Sequence, residues 1–220
     1  MTRLLSTAAI SLAVLTAGCV LTTHQLSEVG EAVTDEAIVG VWEEQPDSEF
    51  DSGARICLQR HKNGLYLRRD LDSGDQHSYP FRLFKIGDVT YLEEDAAEFE
   101  ALNGKTLSER AQEAKQEANT HATNFFPARC ERRGEWIAVW LADRTVIDRL
   151  IKDEELAGRP GVGWLGAAEI TSTAAELAAC LEKHSDEIYR VNDPGPLQRR
   201  VYRRVSTHVP DEMSDSKSKP

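Results

Sequence analysis

The chain contains the residue types that enzymes use, but none of the spacings that assemble them into a familiar catalytic site. We find no Gly-x-Ser-x-Gly nucleophile turn, no His-Glu-x-x-His zinc-binding pair and no glycine loop that leads from a strand into a helix to hold phosphate. The glycine-rich stretch at 158–163 is interrupted by Pro160 and precedes a strand-like pattern, so it predicts a connector. We therefore predict no catalytic residues and a protein that is not an enzyme.

The residues that could bind a metal ion also lack the spacing of a metal site. The sequence has no Cys-x-x-Cys pair of the kind that binds zinc. The acidic run from Glu93 to Glu100 could offer carboxylate oxygens to Ca²⁺, but it lacks the glycine-turned spacing of a calcium loop. Such a run is typical of a solvated edge, so we expect neither a metal ion nor another cofactor.

Cys19 ends a short sequence pattern that is associated with modification of a cysteine thiol. It ends the stretch Leu15-Thr16-Ala17-Gly18-Cys19, which resembles the lipobox of bacterial lipoproteins. In that family the cysteine thiol is alkylated by diacylglycerol and the cysteine becomes the mature N-terminus, so the resemblance implies lipidation of Cys19. The stretch departs from the usual lipobox because Thr16 occupies the position where leucine is more common.

The residues before Cys19 have the order of a secretory signal peptide. Arg3 supplies the positive charge, and an uncharged run follows that ends in small residues. This run is too short to span a bilayer core of about 30 Å, which takes about 20 apolar residues in a helix. We predict a signal peptide over residues 1–18 and a lipid, with palmitate among its chains, that tethers the protein to a membrane of the cell envelope. Because Val20 follows the cysteine where aspartate would retain the protein, we expect the outer membrane, facing the periplasm, in a host with two membranes.

Composition makes nucleic acid an unexpected partner. The formal net charge is −11, from 26 basic and 37 acidic residues. A nucleic-acid binder needs a basic surface that engages phosphates. The short basic clusters, such as Arg68-Arg69 and Arg199-Arg200, alternate with apolar residues as in a strand, and we interpret them as the solvated face of a sheet.

Three cysteines remain besides Cys19, namely Cys57, Cys130 and Cys180. In an oxidising compartment this odd number leaves two interpretations open. Either one disulfide forms and one thiol is left over, or all three are small buried core residues. Spacing does not decide between them.

The strongest secondary-structure signal is Asn63-Gly64, which predicts a two-residue hairpin turn because both residues tolerate positive φ. The turn pairs residues 55–62 with residues 65–71 and gives the hairpin one apolar and one solvated face. The apolar face holds Ile56, Leu58, Leu65, Leu67 and Leu71. The solvated face holds Gln59, His61, Tyr66, Arg68 and Asp70.

Two further hairpins are predicted at Gly87-Asp88 and at Arg133-Gly134. The hairpin at Gly87 carries apolar side chains on both faces, so we expect both faces to be covered. The hairpin at Gly134 places Cys130, Ile137, Val139 and Leu141 on one face and Trp136 and Trp140 on the other.

Helical patterns interrupt the strands in the second half of the chain. An apolar stripe predicts a helix over 143–156, and the capping box Thr173-Ala174-Ala175-Glu176 opens a helix that extends to about His184. A last strand is predicted over Gln198–Val205. The fold class is therefore mainly β, of the α+β type: an antiparallel hairpin meander that forms a sheet or small barrel, with two or three helices at one end.

We divide the chain into four parts. We expect residues 1–18 to form the signal peptide, and residues 19–36 to form the lipidated cysteine and a flexible spacer. We expect residues 37–205 to form a single β-rich domain with a charged insertion at 96–120, and residues 206–220 to form a disordered tail.

Gly40-Val41-Trp42 opens the run of hairpins, and in both respects the chain resembles the lipocalins, which often begin their barrel with Gly-x-Trp. The resemblance implies a small lipocalin-like or half-open barrel with Trp42 at its floor. The chain departs from that family at Glu43, where an aromatic, leucine or basic residue is usual, and in the helix before the last strand.

Two functions remain open for a lipid-anchored domain of this kind. The first is a non-catalytic structural or interaction role towards an envelope protein. The second is a lipocalin-like binder of a small apolar ligand, while an envelope hydrolase is the least expected. The candidate ligand-lining residues are Trp42, Tyr66, Tyr91, Trp136 and Trp140.

Overall fold

The computed structural model describes residues 20–45, 53–72, 77–103, 124–162, 167–195 and 198–209. The predicted signal peptide, Cys19 and residues 210–220 of the predicted tail lie outside the described residues. The strands are β1 (Val20–Thr22), β2 (Glu31–Val33), β3 (Gly40–Gln45), β4 (Arg55–Arg60), β5 (Tyr66–Asp70), β6 (Tyr79–Ile86), β7 (Val89–Glu94), β8 (Asn124–Phe125), β9 (Ala128–Arg133), β10 (Trp136–Trp140), β11 (Gly158–Arg159), β12 (Ala168–Ile170) and β13 (Arg199–Ser206). The helices are α1 (Ala96–Asn103), α2 (Arg144–Lys152) and α3 (Ala174–Ile188).

Eight of these strands form a closed antiparallel barrel in the order β6-β5-β4-β3-β13-β10-β9-β7, and the pairing of β6 with β7 completes the ring. Closure removes the exposed strand edges that an open sheet would present. The short strand β2 pairs with the part of β6 that extends past β5. The predicted fold class, mainly β with a lipocalin-like barrel and helices, is confirmed.

The first hairpin differs from its predicted register by one residue. Its loop contains three residues, Lys62–Gly64, and Asn63 (φ 56°) and Gly64 (φ 75°) both adopt left-handed backbone there. The observed pairs are Ile56–Asp70, Leu58–Arg68 and Arg60–Tyr66. Because side chains alternate along a strand, this shift turns the predicted solvated face of β5 into the barrel. The inward-facing residues of β5 are Tyr66, Arg68 and Asp70.

The other two hairpins have the predicted faces. The Gly87-Asp88 turn joins Ile86 to Val89 as predicted, and both faces of that hairpin are covered. The third turn lies one residue later than predicted, at Gly134-Glu135, where Gly134 has a φ of 58°. This displacement moves the pairing by two residues, so every side chain keeps its face. Cys130, Ile137 and Val139 face inward, and Trp136 and Trp140 face outward. Leu141 lies just beyond the end of β10 and is 39% exposed, so it is not part of the inward face.

The barrel is closed at the end where β3 begins. The fully buried Trp42 donates its indole Nε1–H to the backbone oxygen of Ile38 at 2.8 Å. The Arg204 guanidinium on the neighbouring strand β13 lies 4.6 Å from the centroid of the Trp42 ring. Arg204 Nε and Nη2 are buried without a hydrogen-bond partner among the described residues, and the Glu135 carboxylate is 3.5 Å from Nε. The indole face is therefore a principal contact of a desolvated cation.

Gly40 allows β3 and β13 to approach each other at this closed end. Its φ of 141° suits glycine, and a Cβ here would lie only 2.4 Å from the backbone oxygen of Ser206. Two ion pairs tie the segment before β3 to the same end: Asp35 with Arg132 at 2.7 Å, and Glu36 with Arg60.

A second layer covers part of the outer wall of the barrel. It consists of a small sheet, in the order β11-β12-β1-β8, together with α2 and α3. Outward-facing residues of β6 and β7, among them Phe84, Ile86 and Tyr91, share its apolar core with Leu177 and Tyr189. The described residues therefore include one apolar core inside the barrel and another between the wall and this layer.

Residues 20–36 belong to the fold, which corrects the predicted flexible spacer. Val20–Thr22 are buried in the centre of the small sheet, paired in parallel with β12 and antiparallel with β8. Leu26 is fully buried, and the Glu93 carboxylate accepts hydrogen bonds from the backbone N–H groups of Leu26 and Ser27 at 2.9 and 3.1 Å. The polar composition of this segment hid those long-range partners, and β1 follows Cys19 directly in the sequence.

The helices begin where the sequence predicts. Asp143 caps α2 by accepting from the Thr145 N–H, and Thr173 with Glu176 forms the predicted capping box of α3. α2 ends at Lys152, before the predicted end, and α3 continues past His184 to Ile188. α1 occupies the start of the predicted insertion, and residues 104–120 lie outside the described residues. In the described part of the chain, no helix has the length and apolar character needed to cross a membrane.

We expect the contact between Trp42 and Arg204 to appear as coupling in a double-mutant cycle with Trp42→Leu and Arg204→Met. The coupling in the free energy of unfolding should be about 1–2 kcal/mol, because desolvated cation–π contacts reach about 2 kcal/mol. Urea unfolding followed by circular dichroism measures it.

The matched control is Trp136 with Arg203, on the outer wall of the same barrel, where the guanidinium is 5.8 Å from the ring centroid and the tryptophan is 43% exposed. That cycle should give about 0.5 kcal/mol or less, as for exposed pairs. Equal coupling free energies in the two cycles would show that the Trp42–Arg204 contact stabilises the protein no more than an exposed pair does.

Candidate functional site

The interior of the barrel has two zones of different chemistry. The zone next to the closed end is apolar and filled by the protein's own side chains. Its fully or almost fully buried residues include Trp42, Leu58, Tyr66, Phe81, Leu83 and Ile137. The Tyr66 and Phe81 rings stack there with centroids 5.4 Å apart. This packing contributes to stability, and it leaves the other end of the barrel as the candidate site.

At the opposite end, where β3, β5 and β7 finish, the inward-facing side chains are charged or phenolic. We call this group the mouth cluster, and it consists of Glu44, Arg68, Asp70, Tyr79, Glu94, Arg200 and Tyr202. Two guanidinium groups and three carboxylates therefore face one another across the barrel. The alternation of side chains along five different strands brings them together.

Arg200 forms hydrogen bonds with its neighbours in one half of the mouth cluster. Its guanidinium donates to the Glu44 carboxylate at 3.0 Å, and Glu44 is only 2% exposed. Arg200 also forms a side-chain hydrogen bond with Tyr202, two residues along the same strand. A buried carboxylate requires such a partner, because an unpaired buried charge is strongly unfavourable.

The other half is centred on Arg68, which has looser partners. Asp70 Oδ1 lies 3.6 Å from Arg68 Nε, and Glu94 Oε1 lies 3.8 Å from Arg68 Nη1, beyond ordinary hydrogen-bond distance. Arg68 Nε has no hydrogen-bond partner among the described residues, although it is buried. The guanidinium lies 4.6 Å from the centroid of the Tyr79 ring. Arg68 therefore has donor capacity that its neighbours do not satisfy.

The electrostatics of the mouth cluster keep both arginines charged. Burial lowers the pKa of Arg68, but the Glu94 and Asp70 carboxylates outweigh burial, and the pKa is raised overall. The pKa of Arg200 is likewise raised, because Tyr202 and Glu44 outweigh its burial and the repulsion from Arg68. Burial raises the pKa of the Tyr202 phenol even though Arg200 opposes that change. The site thus offers cationic donors, a neutral phenol and carboxylate acceptors.

Most charged side chains of the mouth cluster are partly exposed to solvent. Four of its charged side chains point into the barrel yet retain about a third of their exposure: Arg68 35%, Asp70 31%, Glu94 33% and Arg200 34%. The aromatic side chains of the filled zone, by contrast, are fully buried. Solvent therefore reaches charged side chains at this end of the barrel, whereas the aromatic side chains at the closed end are shielded from it.

The structure brings together only two of the five ligand-lining residues that the sequence suggests. Trp42 and Tyr66 lie inside the barrel, in the filled zone. Tyr91 and Trp140 lie on the outer wall against the second layer, and Trp136 lies on the outer wall exposed to solvent. The buried Tyr91 hydroxyl donates to Ser185 Oγ at 2.9 Å, and its ring lies 5.9 Å from that of Tyr189.

Sequence reasoning missed the mouth cluster because charged residues in a strand are normally solvated. Arg68 and Asp70 were expected on the outside through the register of the first hairpin, and Arg200 through its basic neighbours. One sequence signal was available: Arg200, Tyr202 and Arg204 alternate on a single face of the last strand. In a closed barrel each face of a strand lies either inside or outside. The pairing of Arg204 with Trp42, which lies inside the barrel, shows that this face of β13 is the inner one.

The acidic run that could have bound Ca²⁺ is divided between three environments. Glu93 faces outward and is buried, Glu94 faces into the mouth cluster, and Asp95 caps α1 by accepting from the Glu98 N–H at 2.9 Å. Within the described ranges, no group of three or more histidine, cysteine, aspartate or glutamate side chains is arranged to hold a metal ion.

A shallow groove of about 420 Å³ between α2 and α3 is an alternative site. Its charged residues are already paired: Arg190 with Asp193 at 2.8 Å, Asp186 with Arg129 at 2.5 Å, and Glu187 with Arg149 at 2.5 Å. Surface pairs of this kind are common and weak. The groove therefore offers no unsatisfied group comparable to Arg68.

Comparison with models of protein families, with curated proteins and with solved structures finds no match to this chain.

The three cysteines of the folded domain are free and buried, and they lie in three different places. Cys57 is on the outer face of β4, Cys130 faces into the barrel, and Cys180 is on α3. Burial raises the pKa of Cys130 to about 12 and that of Cys180 to about 11, and it also raises the pKa of Cys57. The structure therefore agrees with the second interpretation of the sequence, in which all three cysteines are buried core residues with free thiols.

We expect these thiols to be unreactive in the native domain, because the thiolate is the reactive form and burial suppresses it. A domain that starts at Val20 should show no reaction with a disulfide reagent at pH 8, and all three thiols should react after denaturation. The variant Leu141→Cys, at an exposed position, should add one reactive native thiol and serves as the positive control. A single thiol after denaturation would instead reveal a disulfide.

Proposed function

We propose that this protein is a lipid-anchored component of the cell envelope whose barrel binds a small polar ligand at the mouth cluster. The lipobox-like sequence that ends at Cys19 supports the anchor, and the closed barrel supports a binding role. The observation that carries the ligand proposal is the group of four charged side chains that point into the barrel and stay about one-third exposed.

The chemistry of the mouth cluster defines the class of ligand. An anionic group, such as a carboxylate or phosphate, would accept from the guanidinium of Arg68, which is 35% exposed and whose carboxylate partners lie 3.6 and 3.8 Å away. Asp70 and Glu94 would accept from a donor or cationic group on the same ligand. The carboxylates outnumber the arginines, so a simple anion would meet repulsion as well as attraction. A molecule with both kinds of group fits the site best.

An apolar ligand receives less support from this structure. The apolar zone of the barrel is occupied by Trp42, Tyr66, Phe81 and their neighbours, which are fully or almost fully buried. Placing an apolar molecule against the mouth cluster would remove water from charged groups without replacing its hydrogen bonds. A structural or interaction role towards an envelope protein, and the absence of catalysis, stay predictions.

The lipid anchor is tested by metabolic labelling with an alkyne analogue of palmitate in a bacterial host. We expect the full chain to incorporate the label and Cys19→Ser to lose it, because the thiol of Cys19 is the acceptor. Cys180→Ser, which removes a buried thiol, should keep the label and controls for the loss of a cysteine. Equal labelling of Cys19→Ser and the full chain would rule out this anchor.

The ligand is tested by comparing native and denatured masses of the domain from Val20 onward, produced in the periplasm of its host. We expect a stoichiometric extra mass that is lost on denaturation. Arg68→Gln should lower the occupancy about tenfold or more, because hydrogen bonds to charged groups contribute about 1.5–3 kcal/mol.

Arg133→Gln is the matched control, since Arg133 is 81% exposed on the outer wall and should leave the occupancy unchanged. A thermal melt of each variant separates loss of ligand from loss of fold. Equal native and denatured masses in the unaltered domain would count against a bound ligand.

A further inference from the structure

The start of the folded domain lies beside the mouth end of the barrel. The Phe126 N–H donates to the backbone oxygen of Val20 at 2.9 Å. Phe126 is two residues before Ala128, where β9 begins, and Ala128 pairs with Leu92. Two residues beyond Leu92 on β7 is Glu94, a member of the mouth cluster. Val20 is therefore close to the level at which the barrel opens.

This position of Val20 is fixed by the surrounding structure. Val20–Thr22 are buried between β12 and β8, with Val20 opposite Ala168 and Leu21 opposite Phe125. The buried Tyr189 hydroxyl donates to the backbone oxygen of Pro127 at 2.7 Å, which ties the entry to β9 to the second layer. Because β1 follows Cys19 directly, no linker separates a lipid on that cysteine from the folded domain.

The closed end of the barrel lies on the far side from this point. β10 runs from Trp136 at the closed end to Trp140 at the mouth end. With about 3.3 Å per residue, the residues that flank this strand, Glu135 and Leu141, are about 20 Å apart. An anchor beside the mouth therefore holds the two ends of the barrel at different distances from a membrane.

We infer that the mouth of the barrel faces the bilayer and that its partner surface is the layer of phospholipid headgroups. This inference rests on the proposed lipid anchor at Cys19. Headgroups carry phosphate and, in zwitterionic lipids, ammonium groups, which match the arginines and carboxylates of the mouth cluster. The net charge of −11 does not attract the chain to an anionic membrane, so the tether and the geometry of β1 set the orientation.

Two single-cysteine labels at opposite ends of β10 test the orientation. Leu141→Cys is at the mouth end, where the residue is 39% exposed, and Glu135→Cys is at the closed end, where the side chain is 63% exposed. The native thiols of the folded domain are buried, so a fluorescent maleimide should react at the introduced position. The full lipidated chain is reconstituted into vesicles of phosphatidylethanolamine and phosphatidylglycerol that contain a lipid with a nitroxide quencher on its headgroup.

We expect the label at 141 to be quenched severalfold more than the label at 135. Equal quenching, or stronger quenching at 135, in vesicle-bound protein would overturn the inference. Flotation of the vesicles separates the two proposals: protein that stays behind would refute the lipid anchor and this orientation with it. Protein that floats without the difference in quenching would refute the orientation alone. Circular dichroism of both labelled variants checks that they are folded.

Discussion

The pairing of β6 with β7 closes the eight-stranded sheet, and this closure determines the environment of nearly every side chain in the barrel. In an open sheet one strand can shift its register with a local effect. In a closed barrel each residue faces either the interior or the outside. A strand must therefore pair in a compatible register with the neighbouring strands on both sides. The three-residue loop at Lys62–Gly64 therefore has a consequence far from the turn, because it directs Arg68 into the interior.

Closure also explains how the sequence divides its apolar residues between two cores. Phe81 and Leu83 face the interior, while Phe84 and Ile86 on the same strand face the second layer. A strand covered on both faces needs apolar residues at odd and even positions, and β6 has them. The wall between β6 and β9 can therefore support α2, α3 and the small sheet. The remainder of the wall carries exposed residues such as Trp136.

The features that the sequence predicts correctly are those that depend on interactions between residues close together in the chain. The mainly β fold, the faces of two hairpins and the capping box at Thr173 depend on neighbours a few residues away, and the structure confirms them. The order of residues 20–36 depends on β12 and Glu93, which are far away in sequence, so composition alone predicts a spacer. The mouth cluster was missed for a related reason. An arginine in an alternating strand is usually solvated, and only closure of the barrel shows that Arg68 and Arg200 face each other.

Charged residues inside a barrel need a physical reason to be there. A buried ion pair is often no more stabilising than well-packed apolar residues of similar volume, because desolvation offsets the attraction. The filled zone around Trp42 shows that this barrel can pack an apolar interior. The mouth cluster instead keeps two arginines and three carboxylates, with Arg68 only loosely paired. Stability does not require that arrangement, and this supports the proposed recognition of a polar partner that supplies the missing hydrogen bonds. The proposed recognition would also account for the contrast between Glu44, which is buried and fixed by Arg200, and the partly exposed carboxylates beside Arg68.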